Sequence, residues 1–273
     1  MNSGLQVALP IVFAYALTSV WIWDNWMLEE SSYSHGPLIP IGMAAWFWMR
    51  RADWRALPVT IDGRGWWLLG PGLFLHVCGA GLTVDSLSAA SLCLTIPGAV
   101  LLAQGAVRFR NWLPILGLVA FAVPLPMFVT GQLVFVLKEV AVDAGLTLGN
   151  WFGADAVRQG ANIRIANEAT PLVVADACGG LRSLVSLLTV SYVIVFLLGS
   201  ARGLWRWILM VVAIPVAVLT NVVRIAAMCV MSRQYGVEFG STTGHDVAGM
   251  AVFVLGFGIM FGLDTLVARR QAS

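Results

Sequence analysis

Charge is what this chain has least of: Lys, Arg, Asp and Glu make up 11% of its 273 residues, against 59% hydrophobic residues. A water-soluble domain of that length needs far more polar surface, so lipid is the predicted main solvent. No basic patch is large enough to track phosphates and the net charge is only +2, so nucleic acid is not an expected partner. The four cysteines show no paired spacing. That excludes a zinc pattern and a disulfide framework, and nothing else points to a metal or organic cofactor. The first apolar run lacks a strong basic flank and a small-residue cleavage site, and reads as a retained helix. No internal repeat is visible, which weighs against an inverted-repeat transporter.

Long hydrophobic runs and tryptophan are plentiful. Eight apolar segments fall at 5–22, 37–49, 66–83, 87–106, 112–137, 181–199, 204–230 and 247–267. Each is about long enough to span about 30 Å of hydrocarbon. The expected fold is an all-α integral membrane protein: one domain over 1–273, a polytopic bundle of about eight transmembrane helices. The second segment is short, and Val123-Pro124-Leu125-Pro126 interrupts the fifth, where freed backbone groups need partners. Residues 85–86, 107–111 and 200–203 read as short turns. The twelve tryptophans gather near proposed helix ends, as interfacial anchors do. Arginines in the short loops (Arg50, Arg51, Arg108, Arg110, Arg202, Arg269) put both termini on the cytoplasmic side. An external insertion over about 138–177 is predicted to hold a helix at Lys138–Phe152, partly lying on the membrane. A small hairpin follows, pairing 157–165 with 171–175.

Cys178 closes that insertion, in Ala177-Cys178-Gly179-Gly180-Leu181-Arg182, at the external start of the sixth helix. A helix N-terminus lowers a thiol's pKa and its free N–H groups receive an oxyanion. Gly179 and Gly180 let a substrate carbonyl approach the backbone. The plainer reading is a small residue packed at a helix start. Cys78, Cys93 and Cys229 read as packing residues, with a Cys229–Cys178 disulfide left open. Arg224, in Thr220-Asn221-Val222-Val223-Arg224, sits at a depth where arginine normally faces a polar interior. It either grips a substrate carboxylate or oxyanion, or snorkels at a helix end. Asn221, one turn earlier on the same face, completes a polar pocket.

His245 opens the eighth helix on the outer face and is a candidate proton shuttle or a helix cap. Gly249 leaves room beside it, and Asp246 either caps the helix or orients a neighbour. His35, in Tyr33-Ser34-His35-Gly36, either contacts substrate or stitches a helix entry. His76 reads as a satisfied core residue. Together the three helix ends bearing Cys178, Arg224 and His245 make an outward-facing cleft suited to a thiolate.

These motifs, in this order, resemble the exosortase/archaeosortase family of integral-membrane cysteine transpeptidases. Tyr33-Ser34-His35-Gly36 is similar to its N-terminal signature and Ala177-Cys178-Gly179-Gly180-Leu181-Arg182 to its nucleophile motif. Asn221-Val222-Val223-Arg224 and His245 with Gly249 are similar to its arginine and histidine motifs. Gly179 stands where bacterial members commonly carry serine. The resemblance implies an inner-membrane enzyme acting on secreted proteins with a C-terminal sorting tail: a Pro-Glu-Pro motif, a transmembrane helix and a basic end. It implies Cys178 as nucleophile, His245 as acid–base group and Arg224 as oxyanion or substrate ligand, with the product passed to an acceptor of unknown identity. The competing classes are a transporter lined by Arg224 and His245, a hydrolase that only cleaves, and an exopolysaccharide-export component without peptidase activity.

Overall fold

The structure, a computed structural model, describes residues 3–28, 31–160, 162–168, 170–173 and 181–272. It is mostly helical and divides into two compact units, Met1–Met127 and Phe128–Ser273.

In the first unit α1 (Ser3–Ala14) and α2 (Ala16–Met27) are bent by 61° about Tyr15. Then come α3 (Leu38–Met49), α4 (Arg51–Arg55), α5 (Trp66–Gly81), α6 (Asp85–Leu116) and α7 (Val119–Ala122). Gly65, Leu69, Gly72, His76 and Gly79 are buried at steps of four and three, and so form one face from the turn before α5 to its end. That face meets α6 backbone to backbone. A Cβ on Gly72 would lie 2.5 Å from Thr95 Oγ1, one on Gly79 2.5 Å from Ser88 N, and one on Gly98 2.5 Å from Leu69 N. Small residues let helices pack this closely where lipid supplies no hydrophobic drive between them. His76 lies in the same seam, 2.7 Å from Ser88 Oγ and stacked on the Tyr15 ring at 3.9 Å. Tyr15 in turn reaches Ser91 and Thr95 at 2.6 and 2.8 Å, so the bend between α1 and α2 carries a partnered polar group inward.

Two expected turns are displaced. Residues 107–111 are helical, not a turn, because the change of direction is absorbed at Gly105, whose φ of 82° suits glycine. There the helix cradles Thr60, and Asp62 N donates to Leu102 O at 3.2 Å. Arg108 remains inside the helix because its guanidinium donates to Leu57 O at 2.8 Å and to Gln104 Oε1 at 2.8 Å, beside the Trp54 ring. The turn expected at 85–86 falls at 82–84, where Thr83 has a φ of 56°, and α6 has begun by Asp85.

The second unit is built on α8 (Met127–Trp151), so Lys138–Phe152 is no separate helix but the continuation of one that starts after Pro126. The insertion then forms β1 (Ala156–Gln159), β2 (Asn162–Ile165) and β3 (Leu172–Val173), antiparallel in the order 1-2-3. The segment expected as one strand, 157–165, itself folds back at Gly160 (φ 64°), pairing Val157 with Arg164. Ile163, Ile165 and Leu172 are buried with Ala141, Val142 and Leu146 of α8 while Arg164 is exposed, the period of two of a half-buried sheet. Arg158 ties β1 to α8 through Glu139 and through Asp143 at 2.7 Å.

Next come α9 (Leu181–Tyr192), a π-helical turn (Val193–Leu198), α10 (Leu204–Tyr235), α11 (Val237–Ser241) and α12 (Thr243–Ala272). Gly244, Ala248, Val252, Gly256, Met260 and Asp264 are buried at every fourth position of α12, one ridge set against its neighbours. Near the end of that ridge Asp264 accepts from Ser200 N at 3.1 Å and Ala201 N at 3.4 Å, closing the loop before α10.

By length and composition three stretches suffice to cross a membrane: Asp85–Ala122, Leu204–Tyr235 and Thr243–Ala272, or four if the bent α1–α2 pair is one span. Leu38–Met49 and Arg182–Leu198 are shorter apolar helices.

Candidate active site

Arg224 lies on the buried stripe of α10 that runs Leu209, Ala213, Val216, Thr220, Asn221, Arg224, Met228 and Ser232. Steps of three and four, with Thr220 and Asn221 adjacent, keep these on one broad face, so the cation points into the unit and is only 7% exposed. Asn221, one turn earlier, is 2% exposed. The first turn of α12 brings His245 to the same place. Its Nε2 is 2.6 Å from Arg224 Nη2, and its Nδ1 is 3.3 Å from Asp246 Oδ1. The first turn of α9 adds Ser183, whose Oγ accepts from Arg224 Nη1 at 3.3 Å.

Gly249, one turn past His245, shapes the seat. A Cβ there would stand 3.0 Å from Arg224 Nη2 and 3.2 Å from Cζ. The room expected beside the imidazole is thus taken by the guanidinium. Charge at this point is predominantly positive: Arg224 and Arg182 both act on the imidazole, opposed by Asp246, which is 84% exposed. An imidazole beside a fixed cation is an arrangement that can exchange a proton and stabilise an anion.

Of the residues singled out in the sequence, Arg224 and His245 meet, and Asn221 and Gly249 stand beside Arg224. Cys178, Gly179 and Gly180 lie outside the described residues; α9 begins at Leu181, three residues after Cys178. Cys229 is a free thiol, buried under the three-stranded sheet, and Cys93 packs between the helices of the first unit. Ser183 was not singled out. Its signal was available: Ser183 and Ser186 recur at three-residue spacing on the helix that follows Cys178.

His35 belongs to the first unit, where it hydrogen-bonds the backbone of Phe121. Tyr33 Oη accepts from Leu125 N at 3.0 Å and Trp26 Nε1 donates to Ala122 O at 2.8 Å. The Tyr33–Gly36 segment therefore staples the Val123–Pro126 break, satisfying backbone groups that the two prolines free. Gly36 is required because its Cα lies flat against the Trp26 indole, where a Cβ has no space. Burial lowers the His35 pKa, against the opposing pull of the Phe121 contact. Of the two readings for His35, the stitch is the one with geometry behind it.

The family model described as Transmembrane exosortase (Exosortase_EpsH) matches residues 23–262, a range that covers most of both units and every residue of the candidate site. No curated protein and no solved structure matches the chain. With that match over most of its length, the chain belongs to the transmembrane exosortase family, a family of membrane transpeptidases.

Proposed function

We propose that this protein is a membrane-embedded cysteine transpeptidase that cleaves C-terminal sorting signals of secreted proteins at the outer face of the inner membrane and passes them to an acceptor. The observation that carries the reading is the 2.6 Å contact between Arg224 and His245, with α9 starting three residues after Cys178. Two polar side chains from separate apolar helices are expensive to bring together near lipid unless they serve a site.

In this mechanism the Cys178 thiol loses its proton to His245 and attacks the carbonyl carbon of the scissile peptide. The oxyanion is held by Arg224 and by N–H groups at the start of α9. His245 returns the proton to the leaving amine, the tail helix departs, and a thioester on Cys178 remains. An acceptor nucleophile, or water, resolves it. Gly179, Gly180 and Asn221 contact the substrate backbone. Helices α3, α5, α8 and α9 complete about eight crossings, with both termini cytoplasmic.

The transporter alternative needs polar groups leading inward from Arg224. Past Thr220, the buried residues of α9, α10 and α12 are mostly apolar, among them Leu187, Ala213, Val216, Ala217 and Met260, with the hydroxyls of Thr189 and Ser191 on α9. That favours a surface reaction over a path.

The test is co-expression with a tagged secreted protein bearing a Pro-Glu-Pro tail from the same genome. Wild type should shorten the substrate, and a membrane-inserted Cys178→Ala variant should not. Equal shortening by both would remove the thiol mechanism.

A further inference from the structure

The last turns of α12 change chemistry along one stripe. Leu263, Leu266 and Val267 are followed at steps of three and four by Arg270 and Gln271, so all of them share a face. Apolar gives way to cationic within about 10 Å of helix. Trp205, from the first turn of α10, joins them, and together these side chains line a groove of about 340 Å³. Trp205 is 44% exposed, as an indole at a lipid–water boundary is.

Gln271 holds the rim of the groove in place. Its Oε1 accepts from Arg202 N at 2.9 Å and its Nε2 donates to Arg202 O at 3.1 Å. That two-way bond ties the end of α12 to the loop before α10 and brings Arg202 and Arg270 to one edge. Arg206 Nε donates to Ala201 O at 2.7 Å in the same loop, and Arg269 precedes Arg270. Arginines thus gather at the shared end of two stretches long enough to cross a membrane. The acidic side chains within residues 181–272 are Glu238, Asp246 and Asp264. The first two lie at the other end of these helices. Asp264 is 5% exposed, and its oxygens accept from Ser200 N and Ala201 N. The groove therefore has an apolar floor and a predominantly positive rim.

We propose that this groove binds one anionic phospholipid, its phosphate held by Arg202 and Arg270 at the rim and an acyl chain laid along Leu263, Leu266 and Val267. The charge of the rim and the apolarity of the floor choose this occupant together. A soluble phosphate has nothing to place on the floor, and a zwitterionic headgroup brings an ammonium toward arginines. An apolar helix of another protein would take the arginines out of water without pairing them. Basic pockets between membrane helices take anionic headgroups in this way, and the planar arginine fork matches phosphate oxygens. A lipid seated here fastens the start of α10 to the end of α12, the two helices that carry Arg224 and His245 farther along their length.

The experiment is native mass spectrometry of the full chain released from detergent, titrated with phosphatidylglycerol or phosphatidylcholine of the same acyl chains. Wild type should hold one phosphatidylglycerol about 10- to 30-fold more tightly than phosphatidylcholine, as two arginines near a headgroup would give. Arg202→Gln/Arg270→Gln should lose most of that preference. Arg50→Gln/Arg51→Gln removes the same charge from the first unit and should keep it. Leu266→Trp leaves every charge in place, narrows the groove, and should weaken the first phosphatidylglycerol severalfold. Inorganic phosphate at millimolar concentration should not displace the lipid. Equal retention of the two lipids by wild type overturns the proposal, as does an unchanged preference in the Arg202/Arg270 variant. A preference lost equally in the Arg50/Arg51 variant would mean a diffuse surface field and overturns it too. Displacement by inorganic phosphate would reduce the site to a phosphate contact with no seat for a chain. Should the Arg202/Arg270 variant fail to fold, Leu266→Trp decides, and wild-type retention of phosphatidylglycerol there removes the groove.

Discussion

Gly249 is the residue where one added carbon is most informative. Its Cβ would press on Arg224 Nη2 at 3.0 Å, and the guanidinium would have to move by a few tenths of an ångström. Displacing a positioned group in a reaction site costs far more rate than stability. Gly249→Ala should therefore insert and fold normally yet lose on the order of 10- to 100-fold in cleavage rate. Unchanged turnover in that variant would dissociate the guanidinium seat from the chemistry. His35 yields a prediction of another kind. Burial lowers its pKa in the folded protein, so between the folded value and 6.5 the unfolded chain binds the extra proton. Stability is then full above pH 6.5 and declines as the pH falls below it. Thermal unfolding of the purified protein should show this acid sensitivity, and His35→Gln should reduce it; equal sensitivity in the two proteins would exclude His35 as its source. Arg224 and His245 were legible in the sequence because polar residues stand out in apolar helices and their spacing fixes a face. Ser183 was less legible, because serine is common in membrane helices and only the fold shows which serine meets an arginine.

Among the elements, the Val123–Pro126 break and the Tyr33–Gly36 segment depend on each other. Two prolines could be seen to interrupt a helix from sequence alone, and the need for partners followed. Which side chains supply them did not, because the donor and acceptor lie about ninety residues apart in the chain. Tyr33→Phe removes the acceptor for Leu125 N at a site where Tyr33 is 6% exposed, and should cost about 1–3 kcal/mol. Denaturant unfolding in detergent measures it; no loss would show that the break is satisfied another way. The seam between α5 and α6 follows the same logic. Glycines at 65, 72 and 79 recur every seven residues, a pattern present in the sequence, but its meaning needs the facing Ser88, Thr95 and Gly98. The kink at Gly105 was hidden because arginines at 108 and 110 imitate a cytoplasmic turn, whereas Arg108 is buried against Leu57 O. In the insertion the alternation correctly indicated strands. The fold-back at Gly160 split one of them, because a glycine at positive φ turns the chain within the apparent strand.

For the whole molecule, composition settles the solvent and the family match settles the kind of protein, while Ser183, Arg224, His245 and Asp246 come together at the site we propose. The largely apolar packing beneath it argues for a reaction at the membrane surface. The central claim is a covalent intermediate on Cys178, and the most direct measurement is peptide mapping by mass spectrometry of enzyme quenched in acid during turnover of a tailed substrate. The account predicts a substrate fragment attached to Cys178 alone, truncated at the cleavage point and released by neutral hydroxylamine as a thioester is. Cleaved substrate with no adduct on Cys178, together with undiminished cleavage by Cys178→Ala, would contradict it.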